Sequence, residues 1–154
     1  MSVDDRLKSM HIQLPKPADP VGLYKPSIII NKTLHISGQL PMVNGELKYA
    51  GKVGNDIPLE QVSMAIELSV LNSIAIAKFA LDGDLERITA VPRLRVYINS
   101  IDTFTDHAKL ANSASQLLLG VFGDIGVHSR SAVGVSSLPL NACVEVELDF
   151  AIMP

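Results

Sequence analysis

The feature that most constrains this chain is a pair of alternating segments near its end. These are Arg130-Ser131-Ala132-Val133-Gly134-Val135 and Cys143-Val144-Glu145-Val146-Glu147-Leu148-Asp149-Phe150, with Leu138-Pro139 between them. A period of two is what a strand requires, because successive side chains leave opposite faces. In the second segment Val144, Val146, Leu148 and Phe150 form an apolar face, so Glu145, Glu147 and Asp149 occupy the other. In the first, Arg130 shares its face with Ala132, Gly134 and Ser136, small residues expected to leave room for a ligand, while Val133 and Val135 point away. Three carboxylates on one face need water, a cation or a partner, since burying an unpaired charge is costly. The expectation is that Arg130 and Glu145 converge on one site.

A chain of 154 residues with 47% hydrophobic content supports one ordinary domain with its own core. Its single cysteine, Cys143, excludes an internal disulfide, and no C-x-x-C or Cys/His zinc spacing is present, which makes the cytoplasm the natural compartment. The amino terminus Met1-Ser2-Val3-Asp4-Asp5-Arg6 is polar and acidic, unlike a secretory signal. Leu59 to Leu81 is apolar, but Glu60, Glu67, Asn72 and Lys78 interrupt it, so a buried amphipathic helix is expected rather than a membrane span. Net charge is −3, with 13 scattered basic residues and no basic stripe, and no nucleic-acid partner is expected.

Residues 1–20 read as an arm, a short amphipathic helix around Val3 to Met10 followed by Pro15, Pro17 and Pro20. The folded domain, residues 21–154, is expected to begin near Val21. Ser27 to Ile30 and Leu34 to Leu40 read as strands, and Asn44-Gly45 marks a hairpin between Met42-Val43 and Glu46-Leu47, giving three antiparallel strands in series. A helix is expected from about Asp56-Ile57-Pro58 to Gly83, with Val62, Ile66, Val70, Ile74 and Ala77 at helical spacing and Met64, Leu68, Leu71 and Phe79 widening the stripe. Arg87 to Ser100 alternates as a long strand, with Ile88, Ala90, Leu94, Val96 and Ile98 on one side. A second helix runs from Thr105 or Asp106 to Gly123.

The order β-β-β-α-β-α-β-β predicts an α+β fold, a mostly antiparallel sheet with both helices on one face. Arg93, Arg95, Arg130, Glu145, Glu147 and Asp149 are then expected together on the uncovered face. A symmetric homo-oligomer pairing those faces, basic against acidic, resolves the conflict and creates pockets between subunits.

Several pieces in order resemble the RidA/YjgF family, the reactive intermediate deaminases also labelled L-PSP endoribonucleases. They are Gly22-Leu23-Tyr24, Ser37-Gly38-Gln39-Leu40-Pro41, Gly51-Lys52-Val53-Gly54, Val121-Phe122-Gly123, Arg130-Ser131-Ala132-Val133, Leu138-Pro139 and Val144-Glu145-Val146-Glu147. The resemblance implies a homotrimer of chorismate-mutase-like subunits, with sheets inward as a barrel, helices outside and three clefts between neighbours. It implies that Arg130 binds a substrate carboxylate and that Glu145 activates water, the interval of fifteen residues (145 − 130 = 15) being kept without a gap. Tyr24 corresponds to the family's cleft tyrosine, and Ser37 is placed with it among the substrate-binding residues. Where studied members carry a cysteine and a proline flanking the arginine, this chain has Ala132 and His128. The family's second-helix asparagine falls nearest Ser115, with Asn112 one turn earlier.

The expected chemistry is a bidentate pair between Arg130 and the carboxylate of a 2-imino acid, with Glu145 as general base and then acid, and no metal or cofactor. His128 would share the face of Arg130 and tune the pocket if its strand starts early enough; the alternative is a surface histidine. His11, His35, His107 and His128 lack metal-site spacing, and Ser37 and Ser131 lack a nucleophile elbow. The competing readings are a non-catalytic module that binds keto or amino acids in the same clefts and a ribonuclease, the second disfavoured by the acidic balance.

Overall fold

The computed structural model describes residues 1–17, 19–20 and 22–154. The expected start of the folded domain at Val21 therefore lies outside the described residues. Helix α1 (Val3–Ser9) opens the chain, capped reciprocally by Ser2 and Asp5. Strands β1 (Ser27–Ile30) and β2 (Thr33–Gln39) form a hairpin, and β3 (Met42–Val43) with β4 (Glu46–Leu47) forms a second one. Helix α2 (Leu59–Ala80), β5 (Ile88–Asn99), α3 (His107–Phe122), β6 (Ser129–Val135) and β7 (Val144–Ile152) complete the α+β fold.

The five-stranded sheet has the order β1-β2-β7-β5-β6, antiparallel except for the parallel pair β5–β6. The expected series of three antiparallel strands does not form. The Asn44-Gly45 turn closes the small β3–β4 hairpin apart from the main sheet, with both turn residues at positive φ. β7 instead inserts between β2 and β5, which suits its fully buried apolar face of Val144, Val146, Leu148 and Phe150.

Helices α2 and α3 cover that face together. Two of the three serines in α2, Ser69 and Ser73, are fully buried, and their hydroxyls donate to the carbonyls of Ala65 and Ser69 one turn back. α2 is long and apolar enough to cross a membrane, yet most of it packs inside this fold. The expected width of its buried stripe is corrected: Met64 and Phe79 are exposed. Alternation in β5 also departs from expectation before Arg93. Register shifts around Ala90 put Val91 inside, next to Pro92, which cannot donate a ladder hydrogen bond.

The arm is part of the body. Val3 and Leu7 are buried in the core, and Asp4 pairs with Lys78 of α2 at 2.8 Å. Gly120 and Gly123 make room for it. A Cβ on Gly120 would meet the Met10 side chain at 2.7 Å, and one on Gly123 would meet the Arg6 guanidinium at 2.8 Å. Replacing Leu7 with alanine is expected to cost about 2–5 kcal/mol in chemical denaturation, the range for truncating a buried leucine. A loosely tethered arm would leave the midpoint unchanged.

Candidate functional site

The sheet separates the two residues expected to meet. β6 runs parallel to β5 with Leu94 opposite Arg130, Val96 opposite Ala132 and Ile98 opposite Gly134. Leu94, Val96 and Ile98 are all fully buried beneath the helices, so Arg130 points to the helix-covered side. β7 is antiparallel to β5 with Tyr97 opposite Glu145 and Arg95 opposite Glu147, which sends Glu145 to the uncovered side. Arg130 is therefore corrected from the open face to the helical one.

The space over its small neighbours is also accounted for differently. Ala132 packs against the core, and a Cβ on Gly134 would lie 2.6 Å from His107 Nε2 and 2.7 Å from Ser100 Oγ. These small residues admit α3, not a ligand.

At the sheet edge, Arg130 is held by α3. Its Nη1 donates to Asn112 Oδ1 at 2.9 Å and to Ser115 Oγ at 3.0 Å, and its Nη2 donates to the Ala108 carbonyl at 3.1 Å. All three acceptors are neutral, and Arg130 forms no ion pair among the described residues. Of the five N–H donors of a guanidinium, three are engaged here, which leaves the two that a carboxylate takes in bidentate fashion. Ser115 and Asn112, a turn apart on one helix face, both serve where the resemblance pointed to a single asparagine.

Glu145 lies on the other side against Gly38. β2 carries an extra residue there: Ile36 and Gln39 (39 − 36 = 3) pair with Leu148 and Val146 (148 − 146 = 2). The bulge brings Gly38 beneath the carboxylate, so closely that a Cβ on it would sit 2.1 Å from Glu145 Oε1. Burial raises the Glu145 carboxyl above its ordinary value, and the neighbouring charge of Glu147 adds to the rise. Hydrogen bonding to Glu147 and burial push the adjacent Tyr97 hydroxyl up as well. The sequence reading missed Gly38, although a glycine inside a strand pattern signals a bulge or a close approach.

Tyr24 and Gly38 line a cleft of about 450 Å³, with Lys16, Pro17, Asp19 and Pro20 of the arm on its wall. Tyr24 is half-exposed there. Ser37 does not present its proton to this space. Its hydroxyl donates to the Lys25 carbonyl at 2.6 Å and its N–H donates to the Pro26 carbonyl, so it anchors the loop that carries Tyr24. His128 is likewise turned inward, with Nδ1 2.7 Å from the Gly126 carbonyl and Nε2 2.8 Å from Ser115 Oγ. It lies just before β6, on the side of the sheet that Arg130 occupies, and the two meet at the Ser115 hydroxyl.

The remaining charges of the open face pair sideways within one sheet. His35 Nδ1 lies 2.9 Å from Asp149 Oδ1, and Arg95 Nη1 lies 3.5 Å from Asp149 and 3.9 Å from Glu147. Glu147 and Asp149 thus find partners without a second sheet, Arg93 donates to the Ser131 hydroxyl, and Glu145, opposite Tyr97, has no ion-pair partner among the described residues. No cluster of three or more His, Cys, Asp or Glu able to hold a metal ion occurs among the described residues.

A family model described as "YjgF/chorismate mutase-like, putative endoribonuclease" matches residues 4–152. The chain belongs to the YjgF/RidA family. It is 37% identical to Protein TCP17 of Trypanosoma cruzi over 142 residues, 92% of this chain and 88% of that one. It is 33% identical to a RutC family protein of Aquifex aeolicus over 89% of this chain and 94% of that one. Its fold is similar to that of a crystal structure described as a putative endoribonuclease from Shewanella oneidensis, with a TM-score of 0.94 and 35% identity over 99% and 100% of the two chains. YjgF/RidA membership suggests a small-molecule-processing function, and the described β2 bulge and the α3 cradle are the parts of this fold that carry unspent chemistry.

The raised Glu145 carboxyl has a consequence for stability. The folded state holds this proton more tightly than the unfolded chain, so the contribution is complete below the unfolded value and is lost as pH rises through the folded one. At neutral pH the ionised group therefore opposes folding. Glu145→Gln is expected to raise the thermal midpoint at pH 7, with the gain shrinking toward acid pH in matched melts.

Proposed function

We propose that the protein hydrolyses 2-imino acids to 2-oxo acids and ammonia in clefts between protomers, with Arg130 of one subunit facing Glu145 of the next. The observation that carries this reading is the Arg130 cradle: a cation fixed by Asn112, Ser115 and Ala108 with no ion-pair partner among the described residues. Because sheet parity sends the two groups to opposite sides of one chain, they meet only if a second copy brings its uncovered face to the β6 edge. Assembly as a homotrimer is part of the proposal. It is supported by the uncovered sheet face and by β1, an edge strand whose Ile28, Ile29 and Ile30 are each about half exposed.

In the proposed reaction Arg130 binds the carboxylate bidentately, which fixes the C=N carbon near Glu145. Glu145 takes a proton from water as the oxygen–carbon bond forms and the π electrons move to a protonated nitrogen. Glu145 returns that proton to the amine nitrogen of the carbinolamine. As the C–N bond breaks with its electron pair leaving on ammonia, the hydroxyl oxygen forms the C=O bond and its proton passes to the freed Glu145 carboxylate and from there to the departing ammonia, which leaves as ammonium. A carboxyl raised by burial suits this task, since a base works best when its pKa approaches the operating pH. Tyr24 walls the cleft, Ser37 holds its loop, and no metal or cofactor is required. The substrate is a small carboxylate, and neither nucleic acid nor membrane takes part. The cytoplasm fits a single thiol, Cys143, that burial pushes up to about 11 and leaves unreactive.

The test is ammonia release from an imine generated by an amino-acid oxidase. Arg130→Ala and Arg130→Lys are expected to abolish acceleration while light scattering shows the same assembly as the unsubstituted protein. Glu145→Gln should lower kcat by about 100-fold or more, the usual share of a general base. Its loss should also remove an acid limb of the rate profile that lies above the ordinary carboxylate range. Gly38→Ala displaces the carboxylate and is expected to cut turnover, yet to change stability by less than about 1 kcal/mol, because what its Cβ meets is the end of a flexible side chain. Ligand binding without ammonia release would instead favour the binding-module reading, and unchanged rates in Arg130→Ala would remove the carboxylate clamp altogether.

A further inference from the structure

We infer that His128 and Ser115 form a positioning pair that orients the Arg130 guanidinium for its ligand, an inference that rests on the carboxylate-binding role proposed for Arg130. His128 stands two residues before Arg130, at the end of the loop that enters β6, and Ser115 faces both from α3. Polarity runs one way through the group. A carbonyl can only accept, so the 2.7 Å contact with Gly126 O places the hydrogen of the neutral ring on Nδ1. Nε2 is then an acceptor, 2.8 Å from Ser115 Oγ, and the serine hydroxyl donates to it. With its hydrogen committed, Ser115 can offer Arg130 only a lone pair, which Nη1 meets at 3.0 Å.

Without the histidine the hydroxyl would rotate freely, and in some orientations it would turn its hydrogen toward the cation. With it, every link from the Gly126 carbonyl to the guanidinium has a single allowed direction. Asn112 Oδ1 takes the other Nη1 hydrogen and the Ala108 carbonyl takes one from Nη2, so the plane of the group is fixed at three points. A planar fork gains affinity for a carboxylate when its orientation is set beforehand, because less rotational freedom is lost on binding. His128 therefore acts through Ser115 and touches no ligand: both of its ring nitrogens are spent inside the protein.

The experiment is calorimetric titration of the full-length protein with pyruvate, a stable 2-oxo acid. Ser115→Ala and His128→Phe are each expected to weaken binding about five- to tenfold, the scale of one net hydrogen bond. Together they should weaken it no further than Ser115→Ala alone, and Ser115→Thr, which keeps the hydroxyl, should bind nearly as the unsubstituted protein does. His128→Gln serves in place of His128→Phe if thermal melts show the latter unfolded. Additive losses in the double variant, or unchanged binding in both single variants while Arg130→Ala loses it, would overturn the positioning pair and leave the carboxylate clamp standing. No pyruvate binding by the unsubstituted protein, or binding unaffected by Arg130→Ala, would overturn the clamp and the pair with it.

Discussion

The parallel pairing of β6 with β5 is the constraint on which the rest of the site depends. One residue of register decides whether Arg130 looks into the helices or away from them, and Leu94 opposite Arg130 decides for the helices. A guanidinium aimed into a core would be prohibitively costly, but β6 is an edge strand, and the charge emerges where the sheet ends and α3 begins. There the polar face of α3 supplies Ala108, Asn112 and Ser115 at the spacing of one helical turn. The edge position is therefore what makes a fixed, partly exposed cation possible on an otherwise apolar side of the sheet.

Much of this was legible in the sequence. The alternation of β7, the two long helices and their approximate ends, and the Asn44-Gly45 turn all follow from period and turn chemistry, and the structure places them accordingly. What alternation cannot supply is the relation between strands. Knowing that Arg130 and Ala132 share a face, and that Glu145 and Glu147 share another, says nothing about whether the two faces coincide, because that depends on pairing partner and register. The same gap hides the bulge in β2, where one extra residue rotates Gly38 beneath Glu145. Small residues were ambiguous for a related reason: Gly134 reads equally as space for a ligand or as space for a neighbouring helix, and only packing distinguishes them.

The amino-terminal segment teaches the complementary lesson. Three prolines mark an interruption in regular structure, and the sequence rightly places one between the first helix and the strands. An interruption in hydrogen bonding is not a boundary in packing. Val3 and Leu7 enter the common core, the Lys78–Asp4 pair ties the segment to α2, and Gly120 inside α3 accepts the cost of a weak helix former to let Met10 approach. Continuing past this docked helix, the chain brings Lys16 and Asp19 to the wall of the cleft that holds Tyr24, so the arm shapes the space next to Glu145 as well as the stability of the body.

The two halves of the proposed site are built on opposite electrostatic plans, and each plan suits its task. Arg95, Asp149, Glu147 and His35 show that this sheet readily neutralises charge between adjacent strands. Glu145 sits in the same ladder opposite Tyr97, where no cation among the described residues pairs with it, and burial with Glu147 close by makes its ionised form unfavourable. Arg130 is surrounded by neutral acceptors that fix its geometry and leave its charge intact. A carboxylate in that cradle would hold the arginine more tightly, but an incoming anion would then have to displace it, losing the charge-assisted bond before forming its own. Neutral acceptors on one side and an uncompensated acid on the other both forgo stability that an ordinary ion pair would have provided. Such a pattern is what the proposed role requires, since a group that is to receive a ligand has to keep its charge or its proton free of an ordinary ion pair until the ligand arrives.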